Sequence, residues 1–364
     1  MIKVAVIGVG SMGKNHARVY NELPNTQLVA VSDSDVKNAE SVAARLGVHA
    51  YSDHRQMLES ERPDAVSIVV PTALHETVAT DALNAGAHIL VEKPITATLE
   101  EGKRLIQRAN TLGRKLMVGH IVRFNPAIQA LKQKLQAGDL GRIFQIFCRR
   151  AGPFPARIRD VGVVIDLAPH VIGFILGLLN WPVVDSVRGW AWSDFGSEPG
   201  KGDGPYGGGA TGDGPFNVED GAKAQLVIGG GYNIPVDIEV SWAGNYANES
   251  MGFLIHGSES SLHINRSWFT NDGDDTKAKD SMWLLGNGPT ARGWMSANIE
   301  LNPNREPDLT DSNMGRTAYV GQWLDAIAGD ELAKSRLASF KNGLSIQRII
   351  DAWYRSEGQI VSLQ

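Results

Sequence analysis

Up to about residue 120 the chain alternates between short runs rich in Val, Ile and Ala and longer amphipathic stretches. The runs predict strands at Lys3–Ile7, Gln27–Ser32, Ala65–Val70, His88–Val91 and Lys115–Val118; the stretches between predict helices such as Met12–Glu22 and Leu99–Leu112. Thr98 and Glu101 supply a capping box at the start of the second helix. Strand and helix in regular alternation predict an α/β fold with a doubly wound parallel sheet. From Arg142 the texture changes to longer β-rich segments, at Ile143–Arg149, Val184–Trp192, Ala222–Ile228, Val236–Trp242 and Gly252–Ile264. Their alternating apolar and polar positions predict an open, mainly antiparallel sheet with one face packed. Helices are expected at Asp166–Leu179, Thr317–Ala328 and Gly343–Ser356, giving this half an α+β character.

A chain of 364 residues exceeds what one core usually supports, so two domains are expected, 1–122 and 123–364. Hydrophobic content of 43% and charged content of 21% suit a soluble globular protein. A net charge of -5 gives no general attraction to nucleic acid or to an acidic membrane. The single cysteine, Cys148, excludes an internal disulfide framework and a cysteine-built metal site. The first apolar run reaches Gly8 too early for a secretory leader, and the best later run, Val171 to Leu179, is too short to span a membrane. The expected location is cytoplasmic.

Gly8, Gly10 and Gly13 form a G-x-G-x-x-G turn directly after the first strand and at the start of a helix. Gly8 permits the tight turn, Gly10 lets backbone approach a pyrophosphate, and Gly13 lets helix and strand pack closely, with Ser11 and Met12 in the same turn. The second strand ends at Asp33, about twenty residues on, where a carboxylate accepts ribose hydroxyls; Ser34 follows it. Asp33 repels a ribose 2'-phosphate and no arginine follows it in the loop, so NAD is favoured over NADP. Val70, Pro71, Thr72 and His75 end the third predicted strand and are expected to line the cofactor cleft, although His75 equally suits an unpartnered helix start. Glu92-Lys93-Pro94 ends the fourth, delivering Lys93 to the carboxyl edge where open sheets bind ligands; Glu92 and Lys93 are expected beside the cofactor, with a cis Lys93–Pro94 bond. In Asp166-Leu-Ala-Pro-His170 the two polar residues fall four apart on one helical face. Histidine there is a candidate proton acceptor, and without a third ligand nearby no metal site is expected.

These motifs, in this order, resemble the glucose-fructose oxidoreductase, inositol dehydrogenase and MocA family, together with Val118-Gly-His-Ile-Val-Arg-Phe-Asn-Pro126, Glu239-Val-Ser-Trp242 and Ile349–Ser356. The resemblance implies a Rossmann domain followed by an α/β domain whose open sheet builds homodimers or homotetramers. It implies catalytic positions for Lys93, Asp166 and His170, and substrate contacts from those residues with Arg123, Asn125 and Arg157. The implied reaction is hydride transfer between a ring hydroxyl of a carbohydrate or cyclitol and NAD. His170 or Lys93 serves as base; the sequence does not decide between them.

The stretch Phe147 to Asp166 resembles UDP-N-acetylglucosamine 3-dehydrogenases, with Arg149, Arg150, Arg157 and Arg159 as forks for a diphosphate or uronate or as decoration of an exposed sheet face. The chain departs from them at His170-Val-Ile-Gly173, which lacks an acid after the histidine, and in a glycine-rich loop at 195–216 suited to a lid or an oligomer arm. All nine tryptophans lie from Trp181 onward, and a sheet face rich in Trp190, Trp192 and Trp242 would favour association. Inositol dehydrogenase, glycoside cleavage through transient C3 oxidation, and a non-catalytic NAD sensor stand as alternatives.

Overall fold

The computed structural model describes residues 1–120, 132–133, 135–152, 161–194, 218–231, 233–243, 250–267, 281–286, 296–298, 316–330 and 340–363. Arg123, Asn125, Arg157, Arg159 and the 195–216 loop lie outside them. Two compact units emerge, Met1–Phe124 with Asp311–Arg348, and Asn125–Thr310 with Ile349–Gln364. A single cut between residues 122 and 123 leaves Asp311–Arg348 with the second domain, whereas its contacts lie in the first.

The first unit is built on strands β1 (Ile2–Ile7), β2 (Thr26–Ser32), β3 (His49–Tyr51), β4 (Ala65–Ile68), β5 (His88–Val91) and β6 (Leu116–Val118). They pair in the order β3-β2-β1-β4-β5-β6, all parallel. Helices α1 (Ser11–Glu22), α2 (Val36–Leu46), α3 (His54–Glu61), α4 (His75–Asn84) and α5 (Leu99–Thr111) make the crossovers. Successive residues of one strand enter opposite cores: Ala5 and Ile7 pack with α3, α4 and α5, Val4 and Val6 with α1 and α2. Burial on both faces explains why these strands read as unbroken apolar runs. The expected Thr98–Glu101 capping box is present at α5.

The face carrying Val4 and Val6 is completed by Tyr319, Val320, Trp323 and Leu324 of a later helix, Arg316–Ala328. Lys115 donates from Nζ to the Ala326 carbonyl in its last turn. Trp323 therefore belongs to the first unit's core, although it stands far along the chain.

The second unit carries β7 (Ile143–Ala151), α6 (Val163–Leu178), β8 (Val184–Trp192), β9 (Gly221–Ile228), β10 (Ile234–Ser241), β11 (Ser250–Gly257), β12 (Ser260–Ser267), β13 (Ser281–Gly286), β14 (Ser296–Asn298) and β15 (Val361–Ser362). Its sheet runs β14-β13-β12-β11-β7-β10-β9-β8-β15, antiparallel throughout except for β7 beside β10. The β-rich segment Gly252–Ile264 is a hairpin of β11 and β12. Its turn is fixed by Ser258 N–H on the Arg142 carbonyl and Glu259 N–H on that of Leu140, 3.0 and 3.1 Å. Helix α6 packs on the sheet, with the Phe174 and Phe253 rings 3.8 Å apart. Trp242 and Trp353 are buried, and of the three tryptophans expected on an open face Trp190 alone is well exposed.

Candidate active site

In the first unit, the strand ends carrying Gly8, Asp33, Val69–Pro71 and Glu92–Lys93 share the carboxyl edge of the sheet, on either side of the β1/β4 reversal in strand order. Crevices outside such edges hold ligands in open α/β sheets. A cavity of about 480 Å³ lined by Arg62, Asp64, His88 and Arg114 lies at the opposite, amino edge.

The three glycines have three different reasons to be glycine. Gly8 has φ +83, and a Cβ there would stand 2.4 Å from the Val69 carbonyl oxygen. A Cβ on Gly13 would lie 1.8 Å from the Gly8 carbonyl oxygen, so strand and helix meet through bare backbone. At Gly10 a Cβ would meet nothing within 4 Å. Protein packing does not require that glycine, whereas close approach by a ligand does. Gly10 is also the cap residue of α1 and offers no side chain to the first-turn amides, leaving a positive helix end open to a pyrophosphate. Turn and helix end fit a dinucleotide.

Asp33 ties this turn to β2. Its Oδ2 accepts Val9 N–H at 2.8 Å and Asn38 Nδ2 at 3.0 Å, while Oδ1 accepts Asp35 N–H at 3.0 Å. A carboxylate has about four acceptor sites, so capacity for a ribose hydroxyl remains.

Two residues expected in the cofactor cleft have internal hydrogen-bond partners. His75 is 1% exposed, with Nδ1 2.9 Å from the Pro94 carbonyl and Nε2 3.0 Å from that of Val70. Burial holds its pKa below the ordinary range, against the pull of the two carbonyls. Glu92 accepts from His16 Nε2 at 2.9 Å through Oε1 and from Lys93 N–H at 3.1 Å through Oε2. Both side chains shape the backbone around Lys93. Lys93 itself is half-buried at the end of β5, and the Lys93–Pro94 bond is cis.

In the second unit, Asp166 and His170 are the sole polar side chains of α6. They are also half-buried, with Ile165, in a helix otherwise buried along its length. The amino end of α6 has Gly162 at the cap, where a Cβ would lie about 2 Å from the Glu219 carboxylate. Glu219 takes the capping role from a distance, accepting Val164 N–H at 3.2 Å through Oε1 and Val163 N–H at 3.0 Å through its carbonyl. Tyr354 donates its hydroxyl to the same Oε1, and burial and Glu219 both push its pKa up. No local spacing signals this long-range cap. Among the arginines, Arg149 lies 3.1 Å from Glu239 across the exposed sheet face and Arg150 is buried. Among the described residues no cluster of three or more His, Cys, Asp or Glu could hold a metal, and no helix is long and apolar enough to cross a membrane.

Comparison with known proteins agrees with this layout. Residues 2–120 match the model of an oxidoreductase family with an NAD-binding Rossmann fold, and residues 128–263 match the GFO/IDH/MocA C-terminal domain. A UDP-N-acetylglucosamine 3-dehydrogenase from Acidithiobacillus ferrooxidans is 39% identical over 184 residues, 50% of this chain and 56% of that protein. A scyllo-inositol 2-dehydrogenase (NAD(+)) from Bacillus subtilis is 35% identical over 185 residues, 48% of this chain and 54% of that protein. The matched regions thus span about half the length of these relatives. The WlbA dehydrogenase from Bordetella pertussis, solved in complex with NADH and UDP-GlcNAcA, superposes with a TM-score of 0.73 at 20% identity, covering 100% of this chain and 99% of that one. A nucleotide-binding edge and a separate α/β unit, matched in order by both domains of one family, make this chain a member of the GFO/IDH/MocA oxidoreductases, with an NAD-binding Rossmann domain at its amino end.

Proposed function

We propose that the protein is an NAD-dependent dehydrogenase of polyhydroxylated rings, acting on a ring hydroxyl of a sugar, glycoside, nucleotide sugar or cyclitol. The observation that carries this reading is the placing of Lys93, half-buried, on the same sheet edge as the Gly8–Gly13 turn and Asp33. The names of the two relatives above, one acting on a nucleotide sugar and one on an inositol, support the substrate class.

Bound NAD supplies the hydride acceptor. The first-turn amides of α1 hold its pyrophosphate, Asp33 its ribose hydroxyls, and the Val70–Thr72 strand end lines its cleft. The Lys93 ammonium stabilises negative charge developing on the substrate oxygen, an interaction stronger in the transition state than with the neutral alcohol. His170 accepts the hydroxyl proton, and Asp166 positions the substrate hydroxyl or the imidazole. Arg123, Asn125 and Arg157 are assigned further substrate contacts. Cytoplasmic residence and a homodimer or homotetramer formed through the second unit's sheet complete the reading; Phe147 and Trp190, 37% and 46% exposed there, support such an assembly.

The test is NADH formation, followed at 340 nm, with free sugars, glycosides, inositols and UDP-sugars, each with NAD and with NADP. Net NADH with at least one class is expected, together with at least tenfold tighter binding of NAD, about 1.4 kcal/mol. Substrate cleavage without net NADH would replace dehydrogenation with transient oxidation and elimination. Binding of NAD with neither outcome would leave a sensor.

A further inference from the structure

Under the sheet edge that carries Lys93, four buried polar side chains are joined in a line. Tyr20 Oη lies 2.8 Å from Ser67 Oγ, Ser67 Oγ 3.2 Å from His16 Nδ1, and His16 Nε2 2.9 Å from Glu92 Oε1. His16, Tyr20 and Ser67 are 0% exposed and Glu92 7%. Burial drives the Tyr20 phenol upward, so it keeps its proton. One arrangement satisfies every member: Tyr20 donates to Ser67, Ser67 donates to Nδ1, and Nε2–H donates to the Glu92 carboxylate. The last oxygen, Glu92 Oε2, accepts the Lys93 amide.

Two neighbours confine the Glu92 carboxylate. A Cβ on Gly119 would come within 2.9 Å of its Oε2, so the backbone of Gly119 closes one side while His16 holds the other. Titratable side chains that face it include His16 from α1 and His75 from α4, and Lys93 meets it through its main-chain amide. Burying a carboxylate without a donor is costly, and a charge deprived of its partner moves or takes up a proton.

We propose that His16 is a positioning residue for Lys93. It fixes the Glu92 carboxylate, and Glu92 in turn fixes the Lys93 backbone and sets the field at its ammonium. His16 touches neither substrate nor cofactor in this role. The inference rests on the assignment of Lys93 to the reaction, and it links the helix that receives the pyrophosphate to the residue that stabilises the substrate oxygen.

The test uses His16→Leu, which removes the donor; His16→Gln, whose amide nitrogen falls near Nε2; and Tyr20→Phe, which removes the far end of the line. His16→Leu should lower kcat at least tenfold while NAD affinity stays within threefold. His16→Gln should restore kcat to within threefold of wild type. Tyr20→Phe should lower the melting temperature while leaving kcat within threefold, separating positioning from stability. Residue-resolved acetylation rates of Lys93 against pH need no substrate. Their midpoint should move by at least half a pH unit in His16→Leu and stay in place in His16→Gln. If His16→Leu does not fold, His16→Asn, too short to reach Glu92, takes its place. An unchanged Lys93 midpoint in the variant lacking the donor overturns the proposal, as does an equal kcat loss in His16→Leu and His16→Gln. Wild-type protein inert toward every substrate, with the midpoint shifted as expected, overturns the dehydrogenase reading and leaves the positioning of Lys93 standing.

Discussion

At the end of β5 a buried carboxylate is held by directed hydrogen bonds, from His16 on one side and the Lys93 amide on the other. On α6 the polar pair Asp166 and His170 is carried by a helix with thirteen of its sixteen residues buried, so apolar packing sets where the pair stands. Hydrogen bonds fix orientation and fail one donor at a time. Packing fixes position and yields gradually, as volume is lost. Substitutions near Lys93 should therefore damage chemistry sharply, while changes to the setting of α6 should appear first in stability.

The largest effect should come from Lys93→Met, with turnover falling a hundredfold or more at nearly unchanged NAD affinity, on the order of 3 kcal/mol of transition-state stabilisation. Turnover and cofactor titration on one preparation check it, and undiminished turnover would remove Lys93 from the chemistry. His170→Ala should lower kcat/KM about a hundredfold near pH 8 and remove an acidic limb centred between roughly pH 6 and 8, because an imidazolium cannot accept the hydroxyl proton. A limb that persists in this variant assigns the base to Lys93.

Glu219→Ala sharpens the contrast. It removes the carboxylate that accepts Val164 N–H, leaves the main-chain carbonyl on Val163 N–H and the residues Asp166 and His170 unchanged, and should cost about 1 to 2 kcal/mol of stability with a smaller loss of turnover. Thermal melts and kinetics of the same variant decide whether stability falls first.

The smallest effect concerns His75. Its folded pKa is held below the unfolded value, so the unfolded chain takes up this proton first. The contribution is complete above about pH 6.5 and is lost as pH falls, by at most about 1.4 kcal/mol per pH unit for one such group. Denaturation of wild type and His75→Gln at pH 7.5 and 5.5 should show the steeper decline in wild type.

The amino-terminal half was legible because a parallel sheet buried on both faces leaves apolar runs, and because a nucleotide turn constrains Gly8, Gly10 and Gly13 individually. His16 was also readable in principle, as a polar residue on the stripe of α1 that holds Gly13 and Tyr20. Its partners Ser67 and Glu92 come from other strands, and no local pattern names them. The hairpin turn at Ser258–Glu259 escaped because its hydrogen bonds go to Leu140 and Arg142, more than a hundred residues away. The helix at 316–328 was found in place, but amphipathicity reveals only that a helix has a buried face. It does not say which core receives it.

That helix has a consequence for how the protein is made. Tyr319, Val320, Trp323 and Leu324 complete a core whose other members are translated before residue 120. At 5 to 20 residues per second, the ribosome takes roughly 10 to 40 seconds to travel from the end of β6 to Leu324. During that interval the nascent nucleotide-binding sheet exposes the seat of an indole and a phenol ring. A chaperone that shelters apolar surface should bind ribosome-held chains ending near residue 300 and release the chain once it has left the ribosome and the helix has docked.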